Sequence, residues 1–212
     1  MDTNELIKAL VANTRQPVTA LATAWWSAAG LAIGVAAVVF FATLGLRPDF
    51  AAATETPRFL FKFAVTITLA ASAFGGARLL SRPDGTLRRA LPWLAAAPAL
   101  LALAVIAELV VLPADSWSAT IIGTNSMACL TYIPLIGIGP LAGFLLVLRH
   151  AAPSRPALAG AVAGMLAGGI AATFYAAQCT DDSPLFVATW YTIAIAGLAL
   201  LGAAAASRLA RW

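Results

Sequence analysis

Hydrophobic residues form six long runs in this chain, and short polar segments separate them. The runs extend over Thr23–Gly45, Leu60–Leu80, Leu91–Leu112, Ser126–Leu148, Ala157–Gln178 and Phe186–Ala206. A helix needs about 20 mostly apolar residues to cross roughly 30 Å of hydrocarbon, and each run is about that long. The segments between them carry Pro, Gly, Asp and Arg, which favour tight connections. The pattern therefore predicts an all-α fold, a bundle of six transmembrane helices.

Composition supports a membrane protein. Of the 212 residues, 61% are hydrophobic and 10% are charged, whereas about 25% of a soluble domain is charged. A transmembrane β-barrel would show alternating segments of about ten residues, and the sequence has none. We expect a cytoplasmic amino-terminal segment over residues 1–22 and a six-helix transmembrane domain over residues 23–212.

The distribution of basic residues predicts the orientation. Ten Lys and Arg residues fall on one side of the predicted bundle, whereas Arg47 and Arg58 fall on the other and Lys62 lies just inside the second helix. Cytoplasmic segments retain positive charge, so both termini are predicted to be cytoplasmic. The basic residues flank apolar runs instead of lining one face, so the net charge of +4 does not indicate a nucleic-acid partner. Aromatic residues suggest two interfacial belts, with Trp25, Trp26, Trp93 and Trp212 inside and Trp117, Trp190 and Tyr191 outside.

Glycine spacing suggests close helix packing. Gly160, Gly164 and Gly168 recur every four residues along the fifth helix, and Gly30 with Gly34 and Gly139 with Gly143 share this spacing. Small residues let helix backbones approach each other in lipid. We favour packing within the bundle, with a homodimer through these Gly-rich faces as the alternative.

The sequence offers little catalytic chemistry. It has no HExxH, P-loop, GxSxG or CxxC motif, and its single histidine, His150, lies in a predicted cytoplasmic connection. Charged residues in the apolar runs are few: Glu108 lies about a turn from the end of the third helix, and Lys62 and Arg78 are near helix ends, where long side chains can extend to the headgroups. We therefore expect no enzyme and no cofactor.

Two cysteines are the most informative candidates. Cys129 begins the fourth helix and Cys179 ends the fifth, at nearly equal sequence distances from the hairpin that joins them. At 1.5 Å per residue, both should reach the same depth at the outer surface. The pair can form a disulfide, bind a soft metal ion together with Asp181 and Asp182, or simply fill space as buried apolar residues.

The amino-terminal segment has the pattern of a short amphipathic helix. Asp2 and Glu5 have the spacing of a capping box. An apolar face follows, and Pro17 ends the pattern; the face consists of Leu6, Ile7, Leu10 and Val11. A helix of this length is marginal in water, so this face should bind a groove on another protein or the membrane surface.

The chain resembles the NrsF-type membrane anti-sigma factors of proteobacteria, which are negative regulators of an extracytoplasmic-function (ECF) sigma factor. The matching segments run from one end of the chain to the other: Glu5–Leu10, Gly45–Phe50, Pro57 and Phe59 with Lys62, Cys179 with Asp182–Tyr191, and Arg208–Trp212. The residue before the second cysteine in the family is often His, whereas this chain has Gln178, which favours a thiol–disulfide role over a metal-ligand role.

The resemblance implies a tether in the bacterial inner membrane. Its short cytoplasmic segment would hold the sigma factor away from RNA polymerase, and its membrane body would sense an envelope, redox or heavy-metal signal through Cys129 and Cys179. A small transporter or channel-like carrier is the main alternative. A membrane thiol oxidoreductase is disfavoured because the chain has no second cysteine pair to relay electrons.

The orientation can be tested with reporter fusions. We expect fusions at Gly85 and Pro153 to report a cytoplasmic location, and fusions at Asp115 and Asp182 an extracytoplasmic one, because basic residues are retained in the cytoplasm. A cytoplasmic signal at Asp115 would overturn the six-helix topology.

Overall fold

The structure is a computed structural model that describes residues 2, 3, 5 and 18–209. Six helices in it are long and apolar enough to span a membrane. They are α1 (Val18–Thr43), α2 (Pro57–Leu80), α3 (Leu87–Val111), α4 (Ser126–Arg149), α5 (Pro156–Ala176) and α6 (Thr192–Leu209). A turn at Pro184–Phe186 and a π-helical stretch at Val187–Tyr191 lead into α6, so that the last span covers Pro184–Leu209. The prediction of six apolar helices is confirmed.

The connections contain short helical pieces. Residues Phe50–Ala53 lie between α1 and α2, and Ala114–Ser116 and Trp117–Ile122 lie between α3 and α4. Gly123 ends the last of these with φ = +59°, a backbone conformation that favours glycine. The part of the chain that the structure describes contains no β-strand.

Local sequence explains where several helices begin. Pro57 and Pro156 occupy the first turns of α2 and α5, where a missing N–H group costs no hydrogen bond. Ser183 caps the start of the last span by accepting a hydrogen bond from the N–H of Leu185 at 3.1 Å. The described part of the first helix starts at Val18, five residues before the predicted Thr23, and the sequence between them contains no helix breaker.

Helix α5 is the centre of the bundle. It is the most buried of the six spans and packs against α6, α2 and α4, while α1 packs mainly on α4. Helix α3 is the least buried and packs mainly along α2. Because α5 is central, the residues that follow its end lie beside neighbouring connections, and the N–H of Arg47 donates to the carbonyl of Ala177 at 3.2 Å.

Glycines allow α5 and α6 to touch through their backbones. A Cβ atom on Gly160 would lie 2.2 Å from the carbonyl oxygen of Gly202, and one on Gly164 would lie 2.3 Å from that of Leu198. Gly168 faces Ile195, also on α6. The stripe on α5 therefore packs within the bundle. On α1, by contrast, a Cβ atom on Gly30 or Gly34 would meet nothing within 4 Å.

The two ends of the bundle differ in their polar groups. We call the end formed by connections 44–56, 112–125 and 177–183 the thiol end, and the end formed by connections 81–86 and 150–155 the arginine end. At the arginine end, Trp25 donates a hydrogen bond from Nε1 to Ser81 at 3.2 Å and stacks on Phe144.

Two of the predicted interfacial aromatic residues are instead buried in the bundle. Trp25 and Tyr191 each expose only 1% of their surface, so the prediction for these two was wrong. The indole of Trp25 has Ser81 as a hydrogen-bond partner inside the protein, and the ring of Tyr191 packs against Tyr175 and Phe186. Trp26 and Trp93 remain more than 60% exposed, as residues of a belt should be.

The α5–α6 contact can be tested with one methyl group. We expect Gly164→Ala to destabilise the protein by about 1–3 kcal/mol, because the new Cβ would overlap the backbone of α6 and force the helices apart. The free energy of unfolding in detergent measures this. The matched control is Gly197→Ala on α6, where a Cβ meets nothing within 4 Å. Equal effects of the two changes would contradict the close contact.

Candidate functional site: two buried thiols and the ion pairs of the thiol end

The structure places both cysteines at the thiol end. Cys129 lies in the first turn of α4, and Cys179 lies three residues beyond the end of α5. Both are free thiols, almost completely buried, in the same hydrophobic cluster. They lie near enough to each other that an ionised thiolate at one position would interact electrostatically with the other. Two residues 50 positions apart in the sequence thus belong to one environment.

Aromatic side chains surround the thiols. Tyr175 stacks on Tyr132 with ring centroids 6.5 Å apart and contacts Tyr191 at 5.8 Å. The side chains of both Tyr175 and Tyr191 also lie beside the side chain of Cys179. Burial raises the pKa of the Cys179 thiol above its ordinary value, and the nearby charge of Lys62 opposes this increase.

Lys62 is fully buried beside Cys179. Its ammonium group donates a hydrogen bond to the backbone carbonyl of Cys179 at 2.8 Å and forms an ion pair with Asp182 at 2.5 Å. The prediction that Lys62 extends to the headgroups was wrong, because the folded chain brings a carbonyl and a carboxylate within its reach. A lysine within an apolar run is the sequence signal that could have identified this residue.

Arg47 reaches the same segment from the α1–α2 connection. Its guanidinium pairs with Asp49 at 2.6 Å and Asp182 at 3.2 Å, and it donates to the carbonyl of Cys179 at 3.3 Å. These partners raise the pKa of Arg47, the hydrogen bond to Asp49 most strongly, and that same hydrogen bond lowers the pKa of Asp49. The cations of Arg47 and Lys62 both lie over the ring of Phe59, at 5.6 and 5.3 Å from its centroid.

Asp181 connects the segment after α5 to the start of α4. Its carboxylate accepts hydrogen bonds from the backbone N–H groups of Thr124 and Asn125, at 3.0 and 2.8 Å, and from the side-chain amide of Asn125. A carboxylate at the N-terminal end of a helix is favoured because the backbone N–H groups there lack partners within the helix. Cys129 lies four residues after Asn125.

Glu108 connects α3 to α2 and to the start of the last span. It is buried, pairs with Arg58 at 3.2 Å, and accepts a hydrogen bond from the hydroxyl of Ser183 at 2.9 Å. Connection 177–183 is therefore bonded to the α1–α2 connection, to α2, to α3 and to the start of α4.

The structure does not assemble the predicted metal-binding group. Among residues 2, 3, 5 and 18–209, no three His, Cys, Asp or Glu side chains are arranged to hold a metal ion. Asp181 is bonded to the start of α4, and Asp182 is bonded to two cations. The four predicted ligands Cys129, Cys179, Asp181 and Asp182 are close in the fold, but the two carboxylates bind protein groups.

The predicted partner-binding face lies outside the described residues. It comprises Leu6, Ile7, Leu10 and Val11, none of which the structure describes. Upstream of this face, the N–H of Glu5 donates to the carbonyl of Asp2 at 3.0 Å.

Comparison with known proteins identifies the family. A family profile named NrsF, described as "Negative regulator of sigma F", matches residues 10–212. The chain belongs to the NrsF family. It is a regulatory protein and not an enzyme.

Two curated relatives support this assignment. The chain is 33% identical to the "Anti-sigma-F factor NrsF" of Caulobacter vibrioides (strain NA1000 / CB15N) over 220 aligned positions, which cover 100% of both chains. It is 30% identical to the "Probable anti-sigma-F factor NrsF" of Azospira oryzae (strain ATCC BAA-33 / DSM 13638 / PS) over 191 positions, which cover 88% of this chain and 85% of the relative. No solved structure matches the chain.

The environment of Cys179 predicts how the rate of its alkylation depends on pH. In a Cys129→Ser variant, we expect alkylation of Cys179 by a maleimide to be slow at neutral pH, because its raised pKa leaves little of the reactive thiolate. The rate should still be increasing at a pH where an exposed thiol has reached its plateau. The control is an Ala52→Cys variant that lacks both native cysteines, since Ala52 is exposed at the same end. Identical pH profiles would contradict the prediction.

Proposed function

We propose that this protein is a membrane-bound anti-sigma factor. It would hold an ECF sigma factor at the bacterial inner membrane through its amino-terminal segment and release it when a redox, envelope or heavy-metal signal changes Cys129 and Cys179. The observation that carries the proposal is the full-length similarity to a protein named as an anti-sigma-F factor, in a chain with six helices suited to a membrane.

The charge distribution supports an orientation with both termini in the cytoplasm. The arginine end carries Arg78, Arg82, Arg88, Arg149 and Arg155 at or beside its two connections. The thiol end carries several acidic residues, many of them bonded to the few cations there. Under the positive-inside rule, the arginine end faces the cytoplasm and the thiols lie near the outer surface.

The amino-terminal segment is the proposed contact for the sigma factor. Its apolar face (Leu6, Ile7, Leu10 and Val11) would bury against a groove of that partner. The segment leads directly into α1, whose far end is followed within four residues by Arg47. A change at the thiols that moves Arg47 would therefore act on the same helix that carries the sigma-binding segment.

The two thiols are the proposed signal input. A disulfide or a bridging soft metal ion would require the start of α4 and the end of α5 to adjust to each other. The hairpin between α4 and α5 would carry that adjustment to the opposite end of the bundle, and α1 offers a second route. Such coupling requires two alternative arrangements that the thiol chemistry favours differently.

The transporter alternative has less support. A cavity of about 570 Å³ lies between α2, α3, α5 and α6, but apolar side chains line almost all of it, which does not favour a route for a polar solute. The homodimer through Gly-rich faces stays a prediction. Among the glycines of the predicted faces, Gly30 and Gly34 on α1 and Gly143 on α4 have open space where a Cβ atom would lie.

Sigma-factor binding can be tested on the amino-terminal segment. We expect the double variant Leu6→Glu, Leu10→Glu to lose co-purification of the sigma factor, because each buried leucine contributes about 1.5–3 kcal/mol. Membrane insertion should be unchanged. The control is Lys8→Glu, which changes the charge on the opposite face. If the double variant still retains and represses the sigma factor, the contact lies elsewhere, for example at residues 78–89.

Signal sensing can be tested on the thiols. We expect Cys129→Ser and Cys179→Ser, singly or together, to abolish the response of a sigma-dependent reporter to thiol-reactive metals or oxidants, with binding at rest retained. The double variant should behave like either single variant, because the pair acts as a unit. The control is Ala128→Ser, which adds a hydroxyl beside Cys129 without removing a thiol. A normal response in the cysteine-free protein would reject the thiol input.

A further inference from the structure

Cys179 lies where the backbone leaves helix α5. Helix α5 ends at Ala176, and residues 179–183 form no regular secondary structure. The N–H of Cys179 still donates to the carbonyl of Tyr175 in the last turn of the helix at 3.0 Å, and its thiol donates to the carbonyl of Asp181 at 3.7 Å. The carbonyl of Cys179 has no partner within the helix, so the orientation of the peptide that follows the thiol depends on contacts with other parts of the chain.

Two cations supply those contacts. The carbonyl of Cys179 accepts hydrogen bonds from Lys62 at 2.8 Å and from Arg47 at 3.3 Å, and Asp182, three residues later, pairs with the same two cations. In addition, the N–H of Arg47 donates to the carbonyl of Ala177 at 3.2 Å. The backbone on both sides of the thiol is thus fixed from α2 and from the α1–α2 connection.

Stability alone does not account for a fully buried lysine. Removing an ammonium group from water is costly, and a buried ion pair can often be replaced by apolar residues of similar volume without loss of stability. Lys62 lies among residues that would accept such a replacement, since Phe59, Val65 and Leu69 on the same helix are buried. What an apolar side chain could not do is bond to the carbonyl of Cys179.

We propose that Lys62 is a positioning residue for the Cys179 thiol, and that it acts with Arg47 through the carbonyl of Cys179 and the carboxylate of Asp182. Lys62 holds the peptide so that the sulfur stays within the buried cluster that contains Cys129 and Tyr191. The inference rests on the proposed function only where it concerns the sigma response. The geometry of the thiol pair can be measured without a sigma factor.

Through these bonds the peptide that carries the thiol is connected to two helices. Lys62 belongs to α2, and Arg47 follows α1 by four residues, so movement of the Cys179 peptide pulls on both helices. A group attached to the sulfur, or a bond to Cys129, has to be accommodated beside a carbonyl that two cations hold. Lys62 and Arg47 thereby connect the chemical state of the thiol pair to α2 and to the connection that follows α1.

The test measures intramolecular disulfide formation in native membranes. The full chain, with both cysteines, is treated with copper-phenanthroline as the oxidant, and the remaining thiols are counted by a mass-shifting maleimide. We expect Lys62→Met to slow the Cys129–Cys179 cross-link by about tenfold or more, because a displacement of about 1 Å can cost that much in rate. Lys62→Arg, which keeps the charge and the donors, should recover most of the rate.

Two further variants separate positioning from folding. Arg78→Met removes a cation at the opposite end of α2, where the guanidinium lies over the rings of Trp26 and Phe74, and we expect it to leave the rate nearly unchanged. The double variant Lys62→Met, Asp182→Leu removes both charges, so neither is left buried without its partner, and the protein should accumulate even if Lys62→Met alone does not. We expect this double variant to cross-link slowly as well. A wild-type rate in the double variant, or equal slowing by Arg78→Met, would overturn the proposal.

The outcomes distinguish this proposal from the proposed function. If the cysteine-free protein responds normally while Lys62→Met still slows the cross-link, the thiol input fails and the positioning role stands. If the cysteine variants lose the response but Lys62→Met cross-links at the wild-type rate, the thiol input stands and the positioning role fails.

Discussion

A buried ammonium group is stable only where fixed acceptors replace its water, and the fold supplies them to Lys62 from a segment 117 residues away. The carbonyl of Cys179 and the carboxylate of Asp182 are those acceptors, and Arg47 shares both. Because leaving one buried partner alone is far costlier than keeping the pair, α2, the α1–α2 connection and the segment after α5 must stay together. The position of Cys179 depends on this constraint.

Close packing of α5 makes the arrangement possible. Gly160 and Gly164 let α6 approach the backbone of α5, and Gly169 lets α2 approach it near Ala70. With α2 held against α5, Lys62 lies beside the residues that follow α5. Lipid would give helices no hydrophobic reason to associate, so these backbone contacts and the ion pairs of the thiol end hold different parts of the bundle together.

The site therefore connects the two thiols at one end of the bundle with the proposed sigma-binding segment at the other end. A thiol has few strong interactions of its own, but the peptide that carries Cys179 is bonded to groups on α2 and beside α1. Helix α1 continues into the segment proposed to bind the sigma factor, and Trp25 near its start bonds to Ser81 at the end of α2. Membership of the NrsF family gives this architecture a regulatory context.

The sequence by itself determined the six helices, because apolar runs of this length have few other stable structures in a bilayer, and motif order was enough to indicate the family. It also brought Cys129 and Cys179 to one end, since helix rise converts sequence distance into depth. Only the tertiary structure decided which polar groups bind each other. Asp182 is far from both Lys62 and Arg47 in the sequence, and periodicity carries no information on contacts between connections. Sequence reasoning therefore allowed Lys62 to extend to the headgroups and left Asp182 as a possible metal ligand, whereas in the fold each is the other's partner.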